Sequence, residues 1–454
     1  MSTKNISLET TNEVFSANSG LIFFDQLWDK LSLSKRLRRM LPKKHRNRGP
    51  SQINKFKSLL FSFAVGNDCL DDLNELRRDC FFMELTDGGA AARTMGDFLR
   101  TFGRRHIERL QDLLFEMALN LRMAIFDDKK FILTMDSTPH VQRGQKQEGV
   151  KFNYKNYWCR DSQNAYDQYG FSYLFDLRPG NTYSGKDADL WVHKLFSKVP
   201  DSMERWFRAD SAYCSHKMFH ALKVKNVNFA IVLRENLGRY VRKKNKNLLT
   251  WKKSELQFFG SDKCEVAMGL YPIKRLGNLR VVFIRAPKEN CQLDLFEDFQ
   301  EGAYCYYSII TNVSSFDMSD EEVIDFYRQR ATAENYIKEQ KYGFDFLNFP
   351  CQRLGANKVF GLVGTFAHNM MRFLSFCMEQ KRKKVRGKDG KLRTVIQLGY
   401  FAKKVRNKLI KIPCRMVRTA RKVRLRLNTF DKEVLEKIMN NIYKMFSKVS
   451  ECKT

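Results

Sequence analysis

No stretch of this chain reaches the roughly 18 consecutive apolar residues that a membrane-spanning helix requires. The opening residues, MSTKNISLETTNEV, are polar and carry no apolar signal core, so a soluble, intracellular protein is expected. No two of the 11 cysteines stand in CxxC spacing, and their number is odd. That argues against a zinc ribbon, a redox motif or a secreted disulfide framework. Internal repeats and low-complexity linkers are also lacking. Acidic residues are scarce relative to basic ones: 50 Asp and Glu face 81 Lys and Arg, a net charge of +31. Such an excess is costly in self-repulsion and makes sense mainly beside a polyanion.

What is present is a large foldable chain. Its 454 residues are 43% hydrophobic and 13% aromatic, ample for burial and too long for one core, so about two or three domains are expected. The positive charge is concentrated in two places. Eleven Lys or Arg and no acid lie between Lys30 and Lys57, and nineteen lie between Lys381 and Arg426, opposed only by Asp389. Leu33, Leu37, Met40 and Leu41 in the first run, and Val417, Val423 and Leu425 in the second, read as the apolar sides of basic-faced helices. Together the runs point to contacts with a phosphate backbone. Membrane-surface binding is the rival, but the Trp/Phe/Leu-rich stripe of an interfacial helix is missing.

Residues 1–125 read as a helical DNA-end-binding domain, with Ser51 capping a helix that runs to Val65. From 126 to 234 the texture is α/β. Strands are expected at FILTMDSTPH, Phe171–Gly180, WFRAD and NFAIVL, with helices between. Residues 235–312 lose the helical signal and read as a β-rich insertion. Residues 313–375 return to the first core and hold a helix from Ser319 to Tyr342, capped by Ser319 with acids 320–322 at its positive end. Residues 376–454 read as a basic helical C-terminal region, with RGKDGK at 386–391 an exposed loop.

Three acids stand out. Asp136 and Asp210 each end an apolar strand, where α/β folds place ligand chemistry. Glu334 lies on the helix after the insertion. Three carboxylates converging from two strands and a helix can hold two Mg²⁺ ions about 4 Å apart for in-line phosphoryl displacement. Taken singly, a strand-end Asp is a turn former or cap, and a helix Glu is a surface residue. The context of Glu334 raises it above that: Tyr327, Arg330, Glu334 and Lys341 follow the spacing Y-(2)-R-(3)-E-(6)-K. On one α-helix at about 100° per residue they fall within an arc of roughly 60°.

That spacing, with LTMDST, FRADSAY and FYRQRATAENYIKEQKYGFD, resembles the signature of bacterial insertion-sequence transposases of the DDE class. The segment RPGNTYSG at 178–185 is similar to the one usually found between the first two regions. The resemblance spans about residues 20–375. It implies an RNase H-like (retroviral-integrase-like) core with a β-strand insertion in the 124 residues from Asp210 to Glu334. It further implies Asp136, Asp210 and Glu334 as metal ligands, for two Mg²⁺ with Mn²⁺ able to substitute, and Tyr327, Arg330 and Lys341 as contacts to transposon-end DNA. By that resemblance the enzyme binds inverted terminal repeats, hydrolyses a strand and joins the freed 3′-OH to target DNA. It would act as a homodimer on paired ends, in the bacterial cytoplasm at the nucleoid. Trp251, within the insertion, is a candidate for stacking on a flipped base, or else an ordinary core Trp. His140 is a fourth ligand, a DNA contact or a loop histidine without such a role, and His368 reads as core. Two alternatives stay open: an RNase H-like structure-selective nuclease that cuts without joining, and a non-enzymatic transposase-derived DNA-binding protein.

Overall fold

The structure, a computed structural model, describes residues 9–44, 48–258, 260–288, 303–378, 382–386, 392–396, 399–420 and 422–451. The chain divides into two compact units, 127–338 and a second that joins 1–126 to 339–454.

The 127–338 unit is built on ten strands: β1 (Lys130–Val141), β2 (Lys151–Phe152), β3 (Trp158–Tyr166), β4 (Ser172–Pro179), β5 (Glu204–Ala209), β6 (Asn228–Val232), β7 (Lys252–Ser254), β8 (Cys264–Ile273), β9 (Gly277–Pro287) and β10 (Tyr304–Thr311). They form one sheet in the order β2-β3-β1-β5-β6-β10-β9-β8-β7, with β4 also paired to β3. β1, β5 and β6 are mutually parallel, and every other pairing is antiparallel. The centre is buried on both faces, which is why β1 opens on the almost unbroken apolar run Phe131–Met135 instead of alternating. One face packs Phe131 edge-on against Tyr173 and Phe196, and Phe196 against Phe207. Helices α1 (Ala188–Phe196) and α2 (His216–Val224) pack against each other. The other face buries Ile132, Trp206, Ala230, Val232, Val282, Ile284 and Ile309 with Val323, Ile324, Phe326 and Tyr327 of helix α4 (Asp320–Arg328). Ser319 caps α4 as expected: its Oγ accepts from Glu322 N at 3.2 Å while Glu322 Oε2 accepts from Ser319 N at 2.8 Å.

Two expectations for this unit are corrected. The insertion is not free of helix, because Glu235–Lys244 forms helix α3. Its buried side is made of Gly238, Val241 and Arg242, with Arg242 lying 3.9 Å from the centre of the Tyr306 ring, so the inward stripe is hardly apolar and left little periodic signal. Nor is Ser319–Tyr342 one helix. A 3₁₀ turn, Gln329–Ala331, separates α4 from α5 (Thr332–Gly343).

In the second unit the helix Gln52–Val65 is capped by Ser51, whose Oγ accepts from Asn54 N at 3.0 Å. It packs on the 24-residue helix Leu354–Cys377, buried along almost its whole length. Phe56 meets Phe366 edge-on and Phe63 meets Phe360. His368 lies inside this core against Phe344. No described helix is long and apolar enough to cross a membrane. The regions read from sequence as separate flanking modules interlock here. Strand Val14–Ser16 pairs with Cys414–Thr419, and Arg406 donates to the carbonyls of Phe63 and Ala64. At Gly20 a Cβ would meet the Leu409 carbonyl at 1.7 Å, so only glycine permits that approach.

The basic C-terminal run is helical only in part: Ala402–Val405 and Arg406–Ile410 are helical as expected, and strands flank them. Arg382–Arg386 pairs with Leu392–Ile396, and Cys414–Thr419 with Lys422–Arg426. In KVRLR, Lys422, Arg424 and Arg426 are exposed while Val423 and Leu425 are half-buried. That is a period of two, which so few apolar positions do not distinguish from helical spacing in sequence. Beyond Asn428 the chain forms the helix Thr429–Glu451. The loop expected at 386–391 lies outside the described residues after Arg386.

Candidate active site

The parallel register of β1 and β5 runs from Lys130↔Glu204 to Met135↔Ala209. The next position on each strand is an acid, Asp136 and Asp210. Neighbouring strands lie about 4.8 Å apart and side chains alternate between faces, so both carboxylates occupy one face at one level. β1 does not end there: it continues to Val141, paired with β3. Only its contact with β5 stops. Asp210 caps the short turn Ser211–Tyr213, accepting from Ala212 N at 2.9 Å. Asp136 Oδ1 accepts from Ser137 N at 2.8 Å, and Ser137 Oγ bonds Ser184 Oγ at 2.8 Å.

Arg330, in the 3₁₀ turn, links the strands to α5. Its Nη1 lies 3.0 Å from Asp136 Oδ2, and its Nη2 lies 3.7 Å from Glu334 Oε1. Its Nε donates to Tyr327 Oη at 3.2 Å, and Tyr307 Oη of β10 donates to the same phenol oxygen at 3.2 Å. Tyr327, Arg330 and Glu334 therefore lie on an α4–turn–α5 corner, not on a stripe of one continuous helix, and Arg330 is the residue of the three that reaches Asp136. Lys341 is in the last turn of α5 and falls in the other unit. Trp251 is not part of the group. Its ring lies 4.0 Å from the Arg285 guanidinium and 6.1 Å from the Tyr306 ring. Arg285 and Tyr306 are cross-strand partners, on the face opposite Tyr307. His140 is buried on β1 against Ser162 Oγ at 2.8 Å.

Electrostatics follow from burial. Asp136, its side chain 15% exposed, is pushed up to about 6 from 3.8, chiefly by desolvation; Arg330 opposes the rise and the Asp210 carboxylate adds to it. Desolvation wins over the ion pair. For Arg330 the balance is reversed: burial works against its charge, but Tyr327, Asp136 and Asp210 outweigh it and hold the guanidinium well above its usual range. Burial raises the phenols of Tyr327 and Tyr307, so both stay protonated, with Tyr307 the donor and Tyr327 the acceptor between them.

Two residues here escaped sequence reading. Arg208 is buried two positions before Asp210 on the same face. It donates to Thr134 Oγ1 at 2.8 Å and to the Phe326 carbonyl at 2.9 Å, joining the strands to the end of α4; burial lowers it to about 10. A charge between Phe207 and Ala209 in an apolar strand was the available signal. The second is Tyr307, masked by the neighbouring tyrosines of YCYYSII.

A divalent ion fits this corner on chemistry: the donors are carboxylate oxygens, which Mg²⁺ and Mn²⁺ prefer, and Asp136 carries an unfavourable buried charge that a cation relieves. The three acids are not closed into one cage. Among the described residues the group of three ligating atoms within 4.8 Å of one another is Asp68, Cys69 and Asp72, elsewhere in the chain. Arg330 supplies the positive charge between Asp136 and Glu334.

No curated protein matches the chain. The structure is similar to a chain of the cryo-EM structure of the piggyBac transposase synaptic complex with hairpin DNA, at 10% identity and a TM-score of 0.44, covering 86% of this chain and 80% of that one. The model of the family described as Transposase DDE domain group 1 matches residues 1–447. With nearly the whole chain matched, this protein belongs to the Transposase DDE domain group 1 family.

Proposed function

We propose that this DDE transposase is of the bacterial insertion-sequence type, and that it binds inverted terminal repeats, cleaves the transposon ends and joins the 3′-OH ends to target DNA. The reading rests above all on one observation, the β1–β5 register that sets Asp136 beside Asp210. The strand order β4-β3-β1-β5-β6, antiparallel at first and parallel from β1 on, supports an RNase H-like core, with β7–β10 as the insertion.

Asp136, Asp210 and Glu334 are the residues that would hold divalent ions, two Mg²⁺ with Mn²⁺ able to substitute. Bound there, such ions supply activation of the attacking oxygen and stabilisation of the leaving oxygen. The protein's own part is positioning. Arg330 is a planar fork suited to a phosphate once it leaves Asp136. Tyr327, supported by Tyr307, holds that fork and presents a phenol to the cut end. Lys341 adds a point charge, and Trp251 offers a stacking surface. The ladder Lys422, Arg424 and Arg426 and the Lys30–Lys57 run serve phosphate contact. End recognition belongs to residues 1–125 and 376–454, and the catalytic parts are 126–234 and 313–375 around an insertion at 235–312. The active form is a homodimer on paired ends, in the bacterial cytoplasm at the nucleoid.

The test is a cleavage and joining assay. Purified protein is given labelled duplex from the DNA flanking its own gene, with Mg²⁺ or Mn²⁺ and Asp136→Ala in parallel. Metal-dependent cuts at an inverted repeat, followed by joining and absent in the variant, are expected. Cutting without joining would mark a nuclease. Tight binding without cutting would mark a DNA-binding derivative.

A further inference from the structure

A cleft of about 440 Å³ in the 127–338 unit plays no part in the reading above. It lies between α1, α2 and the turn joining β8 to β9. Asp189 and His193 line it from α1, and His216 and His220 from α2. Three of the chain's seven histidines meet there. Each helix presents its two residues four positions apart, so each pair shares one face with Cβ atoms about 5–6 Å apart. The two helices pack against each other. All three histidines are exposed and Asp189 is half-exposed. None of the four side chains is engaged in a hydrogen bond or ion pair with a described residue.

Two imidazoles at i and i+4 on one helix are a ready bidentate claw for a transition ion, and the facing Asp/His pair completes a mixed N/O set. Imidazole selects Zn²⁺, Ni²⁺ or Cu²⁺, whereas carboxylates alone suit Mg²⁺ and Mn²⁺. The ligating atoms are not yet within 4.8 Å of one another as a group. The side chains are exposed or half-exposed rotors on two packed helices, so closing the site costs their rotamer freedom. Lys217, Lys274 and Arg275 line the same cleft and work against a dication, which limits its affinity.

We propose that this cleft is a second metal site, distinct from the carboxylate corner, in which one imidazole-preferring divalent ion bridges Asp189 and His193 of α1 to His216 and His220 of α2. The ion ties together the helices that follow the Ser184 loop and the Asp210 turn. The proposal does not depend on the transposase reading, since its ligands and its metal differ.

The metal-stripped full-length chain is titrated calorimetrically with Zn²⁺ alone and with Ni²⁺ alone, beside Asp136→Ala to remove binding at the carboxylates. One saturable ion that persists in Asp136→Ala is expected. Even outer-shell changes weaken metal sites tenfold or more, so His216→Ala/His220→Ala and Asp189→Asn/His193→Ala should each weaken binding by about tenfold or more. These are surface changes, and unaltered melting in EDTA checks that both variants fold. Absence of saturable binding up to about 100 μM, or binding untouched by either double variant, overturns the proposal.

Discussion

Asp136 and Tyr307 face the same side of one sheet, but different forces put them there. Asp136 belongs to the parallel centre, where β1 and β5 are covered on both faces and backbone register sets the side chain's level. Tyr307 belongs to the antiparallel extension. One face of it is buried against α4; the other buries Val281, Phe283, Ser308 and Ile310, with α3 against Ser308, and opens only at its outer end, where Arg285, Glu265, Trp251, Tyr304 and Tyr306 are partly exposed. The centre fixes its acids through many backbone hydrogen bonds. The extension reaches the site through one hydroxyl, the Tyr307–Tyr327 bond at 3.2 Å. Changes at the centre should therefore be severe and chemical, and changes in the extension graded.

The sharpest version of that contrast is Asp210→Ala or Glu334→Ala. Loss of several kcal/mol of transition-state stabilisation should lower cleavage by about a thousandfold, with end binding retained in a gel-shift assay. Retained cleavage in either variant would remove that residue from the site.

Next in size is a pH effect. The Asp136 carboxyl releases its proton near 3.8 when unfolded and near 6 when folded, so the folded state is the better proton binder between those values. Without divalent ions, stability should fall as pH rises from about 4 to about 6, by about 3 kcal/mol, and this contribution should level off above that. Burial raises Asp161 and Asp345 to about 6 as well, so Asp136→Asn should make the profile shallower by its own share without flattening it. An equal slope in the variant, followed by urea unfolding, would place the effect elsewhere.

Arg208→Leu tests what joins the centre to α4. It leaves the Phe326 carbonyl and the Thr134 hydroxyl short of a partner, and should cost about 2 kcal/mol in the same unfolding experiment. A change near zero would mean that packing alone seats α4. Smallest is Tyr307→Phe, with a loss of about 1 kcal/mol of stability and a severalfold fall in cleavage. A collapse of activity as large as that of Asp210→Ala would break the distinction between centre and extension.

The carboxylates were legible because their surroundings are unusual: an acid that ends FILTM or WFRA is conspicuous in an otherwise apolar strand, and Glu334 stood out through its fixed spacing from Tyr327, Arg330 and Lys341. The path between them was not legible. The 3₁₀ turn at Gln329–Ala331 interrupts residues with ordinary helical character, and it is this turn that lets Arg330 reach Asp136. Helix α3 was missed because its inward side holds Gly238 and Arg242 in place of an apolar stripe. The strands at Cys414–Arg426 were missed because pairing with Val14–Ser16, some 400 residues away in sequence, outweighs weak local preference.

By itself the sequence determined the chemistry available: a positive balance suited to a polyanion, oxygen donors for a hard cation, and apolar runs that must become a buried sheet. Local composition fixes these because burial and charge are properties of single residues and short patterns. The tertiary structure alone decided the rest: that Asp136 and Asp210 stand at one level, that the insertion continues the central sheet through β6 and β10, and that the two ends of the chain fold as one unit. Those outcomes depend on register and on contacts between distant segments, where free energy is gained only after the chain has closed on itself.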